Sequence, residues 1–277
     1  MKKGLYFIMF LICMIFFNLT SDIFVLLIVM TMHEMSHVLL AKKFGLKAKG
    51  FFTTPMGQIV VITDIEFLRI HKKFLIYFIG SFVNIIFYIA MDFLFADKFL
   101  KIKNYSLIMG VFNLLPIFPL DGGRILQILL GNKLGVLRAN KIILKISKIT
   151  SLLIIALGLI QVILYPFNMS LLLVGLFLKK NLNKEIITMA NDFIKVVSNK
   201  NKYIKKNPMR IRNIAVFEHT GIFKILQSVN FESLLIINVF ENNKIKFQIS
   251  EKSFIDYIIK FGVGGNVGNF LENTEKA

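Results

Sequence analysis

Two histidines four residues apart, with a glutamate directly after the first, form the most reactive constellation in this chain: His33-Glu34-Met35-Ser36-His37. On a helix, positions i and i+4 share one face, so both imidazoles can hold a single zinc ion while Glu34 reaches a water beside it. With this chain's own His and Glu frequencies, an accidental H-E-x-x-H turns up on the order of once in several hundred such sequences, which favours a chemical reading. A catalytic zinc keeps three protein ligands and one open position, so a third ligand is needed. His71, near a membrane edge, and His219, in the C-terminal tail, read as surface residues. Asp121 fits better. It follows Asn113-Leu114-Leu115-Pro116-Ile117-Phe118-Pro119-Leu120 and precedes Gly122-Gly123, where an apolar segment is interrupted and a distorted backbone can present a carboxylate to a buried cation. Its competing role is to cap the helix that continues through Arg124. Asp92 is a rival carboxylate, but it sits near a span end beside Asp97 and Lys98, where it needs no special role. Asn113 suits a substrate carbonyl or an oxyanion, with packing between helices as the alternative. Gly80 and Asn84 read as a close helix contact.

The elements that carry these residues are set by composition. Of 277 residues 56% are hydrophobic, and mean hydropathy is +0.68, which excludes an ordinary water-soluble core and indicates a polytopic membrane protein. Six spans are expected, near 4–20, 22–41, 74–95, 105–130, 146–165 and 167–178, the fourth broken by its prolines and glycines. His33 lies about ten residues from either end of the second span, hence roughly 15 Å deep. The first span reads as a retained helix with Cys13 as a core thiol, because no cleavage site follows it. The net charge of +18 arises from Lys and Arg between spans and in the tail, so it reads as a topology signal rather than a nucleic-acid surface. Lys42, Lys43, Lys47, Lys49, Arg69, Lys72 and Lys73 fall between spans two and three, whereas Lys98, Lys101 and Lys103 dissent. Both termini are therefore expected in the cytoplasm. A polar linker at 181–208 follows, able to begin as a helix. The tail at 209–277 then reads as a strand near Ala215, a helix at Ile222–Leu226, strands at Leu234–Val239 and Ile245–Ile249, and an amphipathic helix from Phe254.

H-E-x-x-H on one span and N-x-x-P-x-x-P-L-D-G on another, in that order, resemble the site-2 protease family of intramembrane metalloproteases, peptidase family M50. The resemblance covers residues 1–180. It implies an all-α membrane domain with zinc held by His33, His37 and Asp121, water activated by Glu34, and substrate positioned by Asn113. Gly80 to Asn84 looks like a motif of the family's third core helix, with Ser81 where proline is common, and is given a structural role. Pro55 to Val60 resembles a membrane-associated hairpin that could offer its edge to substrate. The absence of an inserted PDZ domain and the tail, similar to a small α/β CBS motif, look most like the stage IV sporulation protein FB branch. That resemblance implies a substrate like pro-sigma-K, inhibitory membrane-protein partners, and a mother-cell membrane around the forespore. Ser253 stands where nucleotide-binding CBS motifs often carry Asp, which counts against nucleotide binding. Self-association stays open. Two other readings stand beside the protease: a metal-ion transporter, in which the same residues line an ion route, and a noncatalytic membrane scaffold.

Overall fold

The computed structural model describes residues 20–54, 57–95, 98–166, 168–200, 209–241 and 244–275. The expected first span, Cys13, Pro55, Met56, Asp97 and residues 201–208 of the linker lie outside the described residues. The chain forms two units. The first holds helix α1 (Thr20–Lys43), the hairpin β1 (Ala48–Thr54) and β2 (Gly57–Ile62), α2 (Ile70–Phe95), α3 (Leu100–Asn113) and the start of α4 (Asp121–Leu134).

Helix α1 is built inside out. Its buried stripe carries Val29, His33, Ser36, His37 and Ala41, while Phe24, Ile28, Met35 and Leu39 are exposed. The contrast between His33 at 2% and Leu39 at 62% exposure is what a lipid-facing helix with a polar inner seam requires. Helix α2 repeats it, burying Gly80, Ser81 and Asn84 and exposing Phe82, Ile86 and Phe93. Small residues let α2 and α3 close up: a Cβ on Gly110 would stand 3.0 Å from Ser81 O, and Ser106 Oγ donates to Asn84 O at 2.9 Å. The expected break in the fourth span is present. Helix α3 ends at Asn113, residues 114–120 are non-helical, and α4 starts at Asp121. At the other end of the unit Lys101 pairs with Asp22 at 2.7 Å and Lys103 with Asp92 at 2.5 Å, so two of the dissenting lysines and the rival carboxylate are tied to each other's helices.

The second unit holds α5 (Val136–Leu164), α6 (Ser170–Ser198) and the tail. Helix α5 begins earlier than the apolar span predicts, because Lys141 and Lys145 are good helix formers and the turn at Gly135 marks its start. Helix α6 likewise runs unbroken from the expected sixth span through half of the expected linker. These two helices meet at glycines: a Cβ on Gly158 would reach Leu172 N at 2.5 Å, and one on Gly175 would reach Ile155 N at 2.9 Å. Among the described residues three helices are long and apolar enough to cross a membrane, Phe24–Lys43, Ile70–Phe95 and Val136–Leu164.

The tail follows the expected order of elements. Strand β3 (Arg210–Phe217) runs parallel to β4 (Ser233–Glu241) across the short helix α7 (Ile222–Leu226), and β5 (Lys244–Ser250) pairs antiparallel with β4. Helices α8 (Glu251–Phe261) and α9 (Val267–Glu275) complete it. Strand β4 alternates, turning Leu235, Ile237 and Val239 onto a core with Ile222, Ile225, Phe254, Tyr257 and Phe270. Ser250 caps α8 by accepting from Ser253 N at 3.1 Å, and the two serine hydroxyls share a 2.8 Å hydrogen bond.

Candidate metal centre

Helix periodicity puts His33 and His37 one turn apart on the buried face of α1, with ring centroids 4.8 Å apart and planes at 78°. The break before α4 delivers the third residue. Asp121 Oδ2 stands 3.0 Å from His33 Nε2 and 3.1 Å from His37 Nε2. The carboxylate and both imidazoles offer ligand atoms that all lie within 4.8 Å of one another. Glu34, half-buried, is the next residue after His33 on the same helix turn. The backbone that aims Asp121 is glycine-dependent, since a Cβ on Gly122 would run into the carbonyls of Leu114 and Leu115.

The far side of each ring is also engaged. His37 Nδ1–H donates to Ile76 O on α2 at 2.6 Å. A neutral imidazole carries a single N–H, so this bond leaves a lone pair on Nε2, facing a carboxylate oxygen only 3.1 Å away. A proton on Nε2 or a metal ion bridges two lone-pair donors at that separation, and a metal ion would take the same two atoms as ligands. Ligand atoms about 2.0–2.1 Å from a tetrahedral zinc stand roughly 3.3 Å apart, close to the 3.0 and 3.1 Å that separate Asp121 Oδ2 from His33 and His37 Nε2. Space for an ion is left by Gly80, whose added Cβ would lie 2.5 Å from His37 Nε2 and 2.8 Å from His33 Nε2. The donor set and the cradle fit zinc.

Other residues fall as follows. Asn113 ends α3 with its amide nitrogen donating to Met109 O at 3.0 Å, a bond within its own helix, so the structure does not join it to the ligand group. His71 is exposed, and His219 is exposed and stacked on Phe217. Asp92 is paired with Lys103. Gly80 and Asn84, read from sequence as a close helix contact, are packed as expected and are also neighbours of the histidines: the Asn84 amide stands 3.3 Å from His33 Nδ1. Their spacing, i and i+4 on a span that also carries buried Ser81, was the available signal. Ile76 left none, because it acts through its main-chain carbonyl.

Three comparisons bear on this centre. The model of peptidase family M50 matches residues 97–157. The chain is 32% identical over 189 residues to a zinc metalloprotease of Methanocaldococcus jannaschii, covering 62% of this chain and 53% of that protein. It is 28% identical over 166 residues to stage IV sporulation protein FB of Bacillus subtilis, covering 58% of this chain and 57% of that protein. The chain thus spans about half the length of the curated relatives it matches. Among solved structures, the site-2 protease from Methanocaldococcus jannaschii aligns with a TM-score of 0.52 at 29% identity, over 65% of this chain and 87% of that one. Sequence and fold agree: the chain is similar in both to the site-2 proteases of peptidase family M50.

Proposed function

We infer that this relative of the site-2 proteases is an intramembrane zinc metalloendopeptidase that hydrolyses a peptide bond of a membrane-associated protein near the cytoplasmic face. The observation that carries the reading is the convergence of His33 and His37 Nε2 on Asp121 Oδ2, one residue from Glu34, on helices whose outer faces are apolar. Zinc, when bound, polarises the scissile carbonyl and makes water easier to deprotonate. His33, His37 and Asp121 hold it. The bond to Ile76 O keeps His37 in the tautomer that can do so. Glu34 takes a proton from the attacking water and returns it to the leaving amine as the C–N bond breaks. A substrate helix hides its carbonyls in internal hydrogen bonds, so it has to unwind to react. A two-stranded hairpin such as β1–β2 suits an unwound segment, which can add as a further strand.

The likeness to stage IV sporulation protein FB supports the finer reading: a membrane-tethered pro-sigma factor such as pro-sigma-K as substrate, membrane-protein inhibitors as partners, and a CBS-like tail. In that tail Ser250 caps α8, and the Ser253 hydroxyl is hydrogen-bonded to it. The test is co-expression of wild type and Glu34→Gln with a membrane-tethered pro-sigma precursor, read on a gel. Wild type yields the shortened product. Glu34→Gln retains zinc but lowers cleavage by at least about a hundredfold, the range of a lost general base. Undiminished cleavage by Glu34→Gln refutes the assignment, and metal uptake into vesicles without proteolysis would point to transport.

A further inference from the structure

The His33 ring poses a proton question that the His37 ring does not. Its Nε2 faces Asp121, and its Nδ1 faces the Asn84 side chain at 3.3 Å. Both His33 and Asn84 are buried, at 2% and 0% exposure. For Nε2 to offer a lone pair to a cation, the ring's hydrogen has to sit on Nδ1, and a buried N–H there needs an acceptor. With the amide nitrogen toward the ring, Nδ1 becomes the acceptor and Nε2 carries the hydrogen, which blocks the metal. That orientation also leaves Asn84 Oδ1 buried with no partner among the described residues. An amide's oxygen and nitrogen exchange places by a half-turn with no change of shape. The half-turn gives the stranded oxygen a donor and frees His33 Nε2 in one move. Ser81 lies one helical turn before Asn84, is fully buried, and has a hydroxyl without a partner among the described residues.

We propose that Asn84 is the positioning residue of the metal centre: its side-chain carbonyl accepts the His33 Nδ1 hydrogen and so holds His33 in the metal-binding tautomer. Ile76 O does the same for His37, and α2 thereby sets both rings of α1. This rests on the zinc reading above. Partners behind a ligating histidine raise its basicity and fix its plane, and losing one typically costs about 10–100-fold in metal affinity.

The test compares zinc affinity, by chelator competition on purified full-length protein, in wild type, Asn84→Leu and Asn84→Asp. Leucine keeps the branched outline but accepts nothing. It should bind zinc about 10–100-fold more weakly. Aspartate restores an acceptor and should stay within about threefold of wild type. Zinc binding by Asn84→Leu equal to wild type overturns the proposal, as does equal weakening in both variants, the mark of a packing role. Should Asn84→Leu not fold, nitrogen-15 histidine NMR of wild type decides: a hydrogen on His33 Nδ1 supports the proposal, and a bare Nδ1 overturns it. If wild type itself binds no zinc, the zinc reading fails, a result distinct from a failure of Asn84 alone.

Discussion

Gly80 shows how much of a metal centre can depend on a side chain that is missing. Alanine is the better helix former by about 1 kcal/mol, so Gly80→Ala on its own favours α2. Its Cβ, however, would stand 2.5 Å from His37 Nε2 and 2.8 Å from His33 Nε2, in the space the ion needs. We expect Gly80→Ala to purify folded, with the metal-free form no more stable than wild type because crowding the two rings costs about 1–3 kcal/mol and offsets the helix gain, and with zinc content reduced at least about tenfold. Metal analysis beside a melting curve checks both; normal zinc content would show that the cradle is not where the ion sits. This also marks what the sequence could reveal at the level of residues. His33, Glu34, His37 and Asp121 announce themselves because each is a costly polar group in an apolar run, and the structure brings the three ligand types together. The Gly80 cradle, the Asn84 amide behind His33 and the Ile76 carbonyl stayed hidden, because a missing side chain, an amide and a main-chain oxygen carry no charge to betray a role. Asn113 was singled out by its place in a recognisable motif; its amide nitrogen donates back to Met109 O on α3, which leaves contact with substrate as an expectation.

Elements were legible where hydropathy and periodicity changed together, and blurred where they did not. The break between α3 and α4 was written in Pro116, Pro119, Gly122 and Gly123, and the alternation of β4 was written in Leu235, Ile237 and Val239. The length of α6 was not, because Lys179, Lys180 and Lys184 end an apolar run without ending a helix. Just past α6, the chain is clamped to the tail by a buried ion pair. Lys200 Nζ bonds to Glu251 and donates to Ser233 O at 2.7 Å, while Glu251 Oε2 accepts from Leu235 N at 2.7 Å. Lys200→Met strands the Glu251 carboxylate in the core of the tail and should destabilise it by about 3–5 kcal/mol. Adding Glu251→Gln should recover part of that loss. Burial pulls the Lys200 ammonium below the ordinary lysine pKa, with Glu251 opposing. Between the folded and ordinary values the unfolded chain therefore binds more protons, and this group's contribution to stability rises as pH climbs through that window. Urea titrations of wild type and Lys200→Met across mild alkali should show the rise in the former and its absence in the latter. Equal slopes would remove Lys200 from the account.

For the whole molecule the open question is which way it faces, and charge placement provides an answer that can be tested. Seven basic residues, Lys42, Lys43, Lys47, Lys49, Arg69, Lys72 and Lys73, fall between the spans of α1 and α2, against three at the far end, Lys98, Lys101 and Lys103. Of those three, Lys101 and Lys103 are held by Asp22 and Asp92, at the start of α1 and near the end of α2. Because short loops rich in Lys and Arg stay on the cytoplasmic side, we expect the β1–β2 hairpin there, with the first turn of α1 and the end of α2 facing outward. A protease that releases a cytoplasmic protein from its membrane anchor needs water and unwound substrate on that same side. The expected outcome follows for single cysteines placed in full-length protein in intact cells. One at Lys47 is labelled by an impermeant maleimide only after lysis, whereas one at Lys98 is labelled from outside. Changing Lys42, Lys43, Lys47 and Lys49 together to Gln should weaken this preference, since orientation is read from the balance of Lys and Arg rather than from net charge. Labelling of the position-47 cysteine from outside would invert the molecule, put the hairpin on the wrong face for a cytoplasmic substrate, and leave the proposed pro-sigma processing without a route.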